Sequence, residues 1–156
     1  MKPFNTIRWK FVSWLTVNAT NLSGLLLRDR KWNYSFSDFA RMPPNSLGGT
    51  YYRKMLENNI PYNPKLIRHD MKHILLGYEM KMPDELRIHA FQMGNGSYNT
   101  LATTYIAICL LIVPEAVAFL RDDYRRGQKV PCLKNVSLEK YLNIDLIECR
   151  SKLNIS

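Results

Sequence analysis

The chain has 156 residues, which suits one domain with a single hydrophobic core and leaves little room for two. Hydrophobic residues make up 46% of the sequence and charged residues 22%, a composition that excludes a disordered or collagen-like chain. The 22 basic residues outnumber the 13 acidic residues and give a net charge of +9, so an acidic partner such as nucleic acid or an anionic membrane is favoured.

The first predicted element is an amphipathic helix near the N-terminus. Apolar residues recur at steps of three and four from Phe4 onward, and this spacing predicts a helix through about Arg28 with Asn5 as its cap. The polar side of this helix is basic, and the helix carries Trp9 and Trp14. Such a helix either docks on its own domain, which is the favoured interpretation, or lies on a membrane surface.

Helical spacing continues through the rest of the chain, with glycine, proline and asparagine at the breaks. Gly77 and Gly127 are placed as helix stops, and Pro83 as a first helical residue. One or two short helices are expected in the tail. The predicted helices cover approximately residues 37–41, 47–58, 66–77, 83–93, 101–113, 115–126 and part of 137–153.

The apolar segment 101–113 is interpreted as a buried helix. Its 13 residues would span roughly 20 Å as a helix, against the roughly 30 Å of a bilayer core. No segment of the sequence is typical of a cleavable signal peptide or of a membrane span.

These elements predict an all-α fold, a single-domain bundle of about six to eight helices. Residues 1–38 are assigned to the basic N-terminal helix and a connector, and residues 39–156 to the helical domain. The three cysteines, Cys109, Cys132 and Cys149, are odd in number and form no CxxC pair. They therefore predict neither a disulfide framework nor a zinc-thiolate site, and they favour a reducing compartment.

One group of residues has the spacing of a metal site. His69 and His73 are four residues apart on a predicted helix, so both imidazoles share one face and can reach the same ion. Glu85 begins the next helix, and a short connection can return its carboxylate to that face. Two histidines and one carboxylate leave coordination positions open, as in catalytic zinc and iron sites. Asp70 is either a fourth ligand or an acceptor that orients a histidine.

A plainer interpretation of the same residues is two hydrogen-bonded histidines without a metal ion. Proteolysis is disfavoured, because Asp70 stands where the metalloprotease pattern H-E-x-x-H has glutamate. His89 lies four residues after Glu85 and therefore on the same helix face. It is a further metal ligand, a proton carrier or a surface residue of the helix, and the last of these interpretations is favoured. Glu79 is expected in the connecting loop and is given no role.

The motif resembles the H-D-x-x-H-x11-E signature of the coenzyme Q (ubiquinone) biosynthesis proteins of the Coq-four type. The segment M-P-P-N-S-L-G at residues 42–48, followed by Tyr51 or Tyr52, is similar to the family's Pro-x-Gly-(Thr/Ser)-Leu-Gly segment, with Asn45 in place of the usual glycine. Patterns near Arg125, Asn135 and residues 146–153 also resemble the family. The resemblance covers about residues 39–156.

The resemblance implies a metal-dependent enzyme that carries out oxidative decarboxylation of a prenylated benzoate precursor of ubiquinone, a lyase activity. The metal ion would be divalent, with zinc expected and iron as the alternative. Its ligands would be His69, Asp70, His73 and Glu85, of which Asp70 and Glu85 would also be catalytic. The alternative is a non-catalytic scaffold that binds isoprenoid lipid and other quinone-biosynthesis enzymes.

The resemblance also implies partners and a location. The expected partners are the prenylated precursor or another isoprenoid lipid, the membrane surface, other quinone-biosynthesis proteins and a second copy of the chain. The expected location is peripheral, on the cytoplasmic side of a bacterial inner membrane or on the matrix side of the mitochondrial inner membrane. Nucleic acid is disfavoured, because the sequence has no helix-turn-helix, RNA-recognition or zinc-finger pattern.

Overall fold

The protein is described here from a computed structural model that covers residues 6–26, 32–98 and 100–155, with the backbone alone for residues 20–26. The predicted cap at Asn5 and the predicted helix end at Arg28 lie outside these residues. The α-helices are α1 (Ile7–Leu26), α2 (Phe36–Ala40), α3 (Leu47–Glu57), α4 (Ile67–Leu76), α5 (Asp84–Gly94), α6 (Thr100–Ile112), α7 (Val117–Gln128) and α8 (Leu146–Lys152). Short 3-10 helices occur at Pro114–Ala116 and Leu138–Tyr141.

The predicted all-α fold is confirmed. Eight α-helices occur within the described residues, and β-structure there is confined to one isolated bridge between Ser46 and Asp145. The chain divides into two compact units. The first unit comprises Met1–Leu27 and Lys81–Lys134, and the second comprises Arg28–Met80 and Asn135–Ser156. The predicted division of the sequence after residue 38 stays a prediction.

The first unit contains α1, α5, α6 and α7 around a core of its own. The buried members of this core are Trp9, Val12, Leu86, Ala90, Ile106, Cys109, Val113, Ala116 and Leu120. Trp9 and Val12 come from α1, so the predicted docking of this helix is confirmed for one face. Its other face is also apolar but exposed, and consists of Ile7, Phe11, Trp14 and Val17.

Two glycine residues allow α5 and α7 to pack in close contact within the first unit. A Cβ atom at Gly94 would lie 1.9 Å from the carbonyl oxygen of Tyr124, and one at Gly127 would lie 2.1 Å from that of Phe91. The expectation that Gly127 stops its helix is therefore wrong: α7 continues through it to Gln128. Gly127 is needed because the two backbones approach too closely for a side chain.

The interpretation of segment 101–113 as a buried helix is wrong for much of its surface. Ile106 and Cys109 of α6 are buried, whereas Leu101, Ile108 and Leu111 are exposed. A segment that is apolar on every side shows no periodicity from which its buried face could be identified. Within the described ranges, no single helix is long and apolar enough to cross a bilayer, although α6 and the stretch Pro114–Gln128, bent by 114°, pass that test as a pair.

The second unit contains α2, α3, α4 and α8. Ser46 caps α3, because its Oγ accepts a hydrogen bond from the backbone nitrogen of Gly49 at 3.1 Å. Helix α4 ends at Gly77, which has a φ of 77°, so this predicted helix stop is confirmed. Arg150 of α8 donates hydrogen bonds of 2.9 Å to the carbonyl oxygens of Ile74 and Leu75 and thereby completes the end of α4.

Candidate metal centre

Helix α4 presents the two motif histidines on one face, as their spacing predicts. The centroids of the His69 and His73 rings are 4.8 Å apart, and the ring planes are inclined at 62°. The His73 side chain is fully buried and that of His69 is partly exposed. Residues on this face are held by the packing of α4 in the core of the second unit, to which Ile67, Met71 and Leu75 contribute.

The tautomer of His73 is set by the backbone. Its Nδ1 lies 2.9 Å from the carbonyl oxygen of Glu79, which follows the glycine turn at the end of α4. A carbonyl oxygen can only accept, so Nδ1 carries the proton and donates it to this bond. The lone pair of the ring is then on Nε2, the atom available to a metal ion.

His69 has a similar arrangement with a side-chain acceptor. Its Nδ1 lies 3.3 Å from Oδ1 of Asp70, a long contact but one within reach of a hydrogen bond. Asp70 is itself mostly buried, at 9% exposure. Metal-binding histidines commonly donate their second ring nitrogen to a carboxylate or carbonyl oxygen in this way. Of the two roles left open for Asp70, the contact favours the acceptor that orients His69.

The first unit presents Glu85 and His89 one turn apart on α5. Both side chains are partly buried, and the ring of His89 lies edge-on to Tyr105 with the centroids 5.3 Å apart. Glu85 and His89 each carry an atom of the kind that binds a metal ion, a carboxylate oxygen and an imidazole nitrogen. The spacing of Glu85 and His89 is the signal that places both on one helix face.

Tyr105 connects α6 to α1 beneath His89. Its hydroxyl is hydrogen-bonded to Thr16, whose own hydroxyl donates to the carbonyl oxygen of Val12 at 2.8 Å. Burial raises the pKa of Tyr105, and the charge of Glu85 raises it further. The phenol therefore remains protonated at neutral pH and acts as the hydrogen-bond donor to Thr16.

A cavity of about 140 Å³ lies in the second unit beside His73. Thr50, Lys54 and Asn58 of α3 line one wall, and Arg150 lines another. Sites for drug-sized ligands have volumes of roughly 300–1,000 Å³. This cavity is smaller, so it suits water or another small group rather than an isoprenoid tail.

The comparisons with known proteins agree with the motif. The family model for "Coenzyme Q (ubiquinone) biosynthesis protein Coq4" matches residues 67–156, which include all four motif residues. No curated protein matches the sequence significantly.

The fold is similar to that of a solved structure from Nostoc punctiforme PCC 73102, a protein provisionally named a ubiquinone biosynthesis protein. The TM-score is 0.66 at 16% sequence identity, and the match covers 98% of this chain and 84% of the other. At this identity the likeness concerns the fold alone. The family model, by contrast, matches more than half of the sequence. The chain belongs to the Coq4 family of coenzyme Q (ubiquinone) biosynthesis proteins, and its role lies in ubiquinone biosynthesis.

Proposed function

We propose that the protein is a metal-dependent enzyme that acts on a prenylated benzoate precursor of ubiquinone by oxidative decarboxylation. The proposed metal dependence rests on one observation. In both motif histidines Nδ1 faces an oxygen acceptor, and the two Nε2 lone pairs belong to rings on one face of α4. Two imidazoles oriented by separate acceptors fit a metal ion better than two unrelated histidines, for which nothing would favour the same tautomer twice.

The proposed ligands are His69, His73 and Glu85, with Asp70 orienting His69 and His89 as a further candidate. This donor set suits zinc, and iron is the alternative. Such an ion, when bound, supplies a Lewis acid that holds a carboxylate or ring oxygen and stabilises negative charge as carbon dioxide leaves. Zinc has no redox chemistry, so the oxidative step requires dioxygen with iron at the site, or a partner protein that accepts the electrons.

The residues of the motif divide into two roles in this proposal. The histidines would bind the ion, and the acceptors on Asp70 and Glu79 restrain the rotation of their rings. Glu85 lies in the first turn of α5. We assign Glu85 the exchange of a proton with the substrate and Asp70 the maintenance of the His69 tautomer.

We further propose that the protein associates peripherally with a membrane through α1. The exposed face formed by Ile7, Phe11, Trp14 and Val17 is apolar, and the rings of Phe11 and Trp14 stack with their centroids 5.6 Å apart. Lys10 is exposed beside them, whereas Arg8 pairs with Glu115 at 3.1 Å. An apolar helix face with tryptophan at its edge suits the boundary between headgroups and acyl chains.

A second candidate function is a scaffold that binds isoprenoid lipid without catalysis. The exposed apolar residues of α6, Leu101, Ile108 and Leu111, favour it, because they offer a second surface to a lipid tail or a partner. The variant Glu85→Ala separates the two candidates. An enzyme would lose turnover and keep its lipid, whereas a scaffold with a structural metal ion would lose stability.

The metal content of the purified protein tests the first proposal. We expect roughly one zinc or iron ion per chain in the parent and little in His69→Ala/His73→Ala, because two ligands are lost. Lys65→Ala, at an exposed position just before α4, is the matched control and should keep its metal. A folded parent that contains no metal and takes up neither zinc nor iron would contradict the proposal. A metal-containing parent would then be assayed with prenylated hydroxybenzoates under oxygen.

A further inference from the structure

The small cavity of the second unit has an excess of positive charge in its wall. It is bordered by α3, by the end of α4 and by α8. Lys54 and Arg150 contribute two cations to the wall, and Glu79 contributes one carboxylate. Asn58 and Glu79 are exposed, so the cavity is open to solvent. The charge of the wall therefore favours a small anion that enters from solvent.

Arg150 is held in place with one side of its guanidinium group occupied. Its Nε donates to the carbonyl oxygen of Leu75 and its Nη2 to that of Ile74, both at 2.9 Å. A guanidinium group carries five N–H bonds in a planar fork. The two hydrogen bonds leave the end of the fork, where Nη1 and Nη2 each keep one N–H bond and the two bonds are parallel. Two parallel N–H bonds match the two oxygen atoms of a carboxylate.

Both cations of the cavity can accept an anionic partner. Within the described part of the chain, Arg150 forms no ion pair, and carbonyl oxygens alone accept its hydrogen bonds. Lys54 pairs with Glu57 at 3.1 Å, but both side chains are about two-fifths or more exposed and such a pair contributes little. Glu57 also contacts Arg53 at 3.8 Å, so it keeps a cation when Lys54 turns towards the cavity.

We propose that this cavity is a binding site for a carboxylate group, which the end of the Arg150 fork and the ammonium group of Lys54 hold. His73 borders the same cavity, so the bound carboxylate lies beside a residue of the motif. An aromatic acid and a free small carboxylate such as acetate carry the same group. The identification of the carboxylate with that of the ubiquinone precursor rests on the proposed function, whereas the carboxylate site itself does not.

The variant Lys54→Gln tests this site. Arg150 is left unchanged, because its hydrogen bonds complete the end of α4. Isothermal titration calorimetry of the full chain in Tris buffer measures the affinities for 4-hydroxybenzoate and for acetate. We expect the parent to bind 4-hydroxybenzoate and Lys54→Gln to bind it about fivefold more weakly, since one cation beside the carboxylate is lost. Tighter binding of 4-hydroxybenzoate than of acetate would identify a ring acid as the occupant, and equal affinities would identify a free small carboxylate. Either result supports the site.

Arg53→Gln is the matched control. Arg53 is the preceding residue of the same helix, its side chain is similarly exposed, and it contacts the same Glu57. It does not border the cavity. This variant removes the same charge from α3 and should bind 4-hydroxybenzoate with the affinity of the parent. The comparison separates a contact in the cavity from a general effect of the net charge.

Equal affinities of the parent and Lys54→Gln for 4-hydroxybenzoate, or no binding of either acid, would overturn the inference. Titrations before and after treatment with a chelator distinguish this failure from that of the proposed function. Binding that disappears with the metal ion and does not depend on Lys54 would place the acid on the ion, against this inference but not against the proposed function. A parent that contains no metal and still binds the acid through Lys54 would support the site while the proposed function fails.

Discussion

Arg87 on α5 binds Asp123 on α7 through two hydrogen bonds, of 2.8 Å from Nε and 3.3 Å from Nη2. The carboxylate of Asp123 is almost completely buried, whereas Arg87 is partly exposed and also donates to Asp84 at 3.1 Å. The hydrogen bonds to Asp123 raise the pKa of Arg87, so the guanidinium stays charged. The pair joins the helix that carries Glu85 to the helix that packs beneath it.

Arg87→Met should therefore lower the free energy of unfolding by about 2–3 kcal/mol, because it removes the cation that binds a buried carboxylate. Urea denaturation measures this change. The double variant Arg87→Met/Asp123→Leu should recover most of the loss, since the buried charge of Asp123 is removed as well. Arg125→Met is the control: Arg125 makes only a 4.0 Å contact with the exposed Asp122, and its loss should change stability by less than about 0.5 kcal/mol. A double variant less stable than Arg87→Met would contradict this account.

Gly127→Ala should destabilise the protein despite the higher helix propensity of alanine. The added methyl group would lie 2.1 Å from the carbonyl oxygen of Phe91, so α5 and α7 must separate. We expect a loss of about 2 kcal/mol or more in the free energy of unfolding, measured by thermal or urea denaturation. Gln128→Ala, at the next and exposed position of α7, should be nearly neutral. Equal stability of the two variants would mean that the helices can move apart at no cost.

Cys149 should make the protein less stable at alkaline pH. Burial, together with the charges of Glu148 and Asp145, raises its pKa from 9.0 to about 11. Because the pKa is higher in the folded than in the unfolded chain, the stability this thiol contributes is fully present below pH 9. It is lost as the pH rises towards 11, by about 2 kcal/mol at that pH.

The comparison of Cys149→Ala with the parent isolates this effect. Unfolding free energies measured with a reducing agent between pH 7 and 11 should fall less steeply for the variant above pH 9. Tyr105, whose pKa burial also raises, accounts for part of the slope that remains. Cys132→Ser, which changes an exposed thiol, should keep the slope of the parent. A parent whose stability stays constant to pH 11 would be inconsistent with the buried thiol.

The exposed face of α1 should govern membrane association. Phe11→Ser/Trp14→Ser removes the stacked rings, and we expect binding to vesicles of phosphatidylcholine and phosphatidylglycerol to weaken about tenfold or more. Co-sedimentation measures this binding, and the melting temperature should change little because both rings are exposed. Tyr124→Ser, which removes an exposed aromatic ring from α7, is the control and should bind as the parent does. Unaltered binding of the double variant would assign the membrane contact to another surface.

The sequence predicted those features that depend on local chemistry. Gly77 marks a helix end because a left-handed turn is a property of a few adjacent residues. Gly127 was misread because a glycine that permits close helix packing looks the same in a sequence as one that ends a helix. The buried face of α6 was equally hidden, since apolar residues surround that helix on all sides.

The shared face of the two candidate histidines was predictable from the sequence, whereas the oxygen atom that accepts a hydrogen bond from His73 was not. The spacing of His69 and His73 places both rings on one face in any regular helix. By contrast, the acceptor for His73 is a backbone oxygen, that of Glu79, which no side-chain pattern can reveal.

The hydrogen bonds of Arg150 to the end of α4 bear on the order in which the protein matures. Arg150 follows Ile74 by 76 positions, so the ribosome synthesises α4 long before its terminal carbonyl groups can meet this guanidinium. At roughly 5–20 residues per second the interval lasts several seconds. During that time the end of α4 and the loop that presents the Glu79 carbonyl are incomplete. Stable capture of an ion by His73 would therefore be a late event, after translation has passed α8.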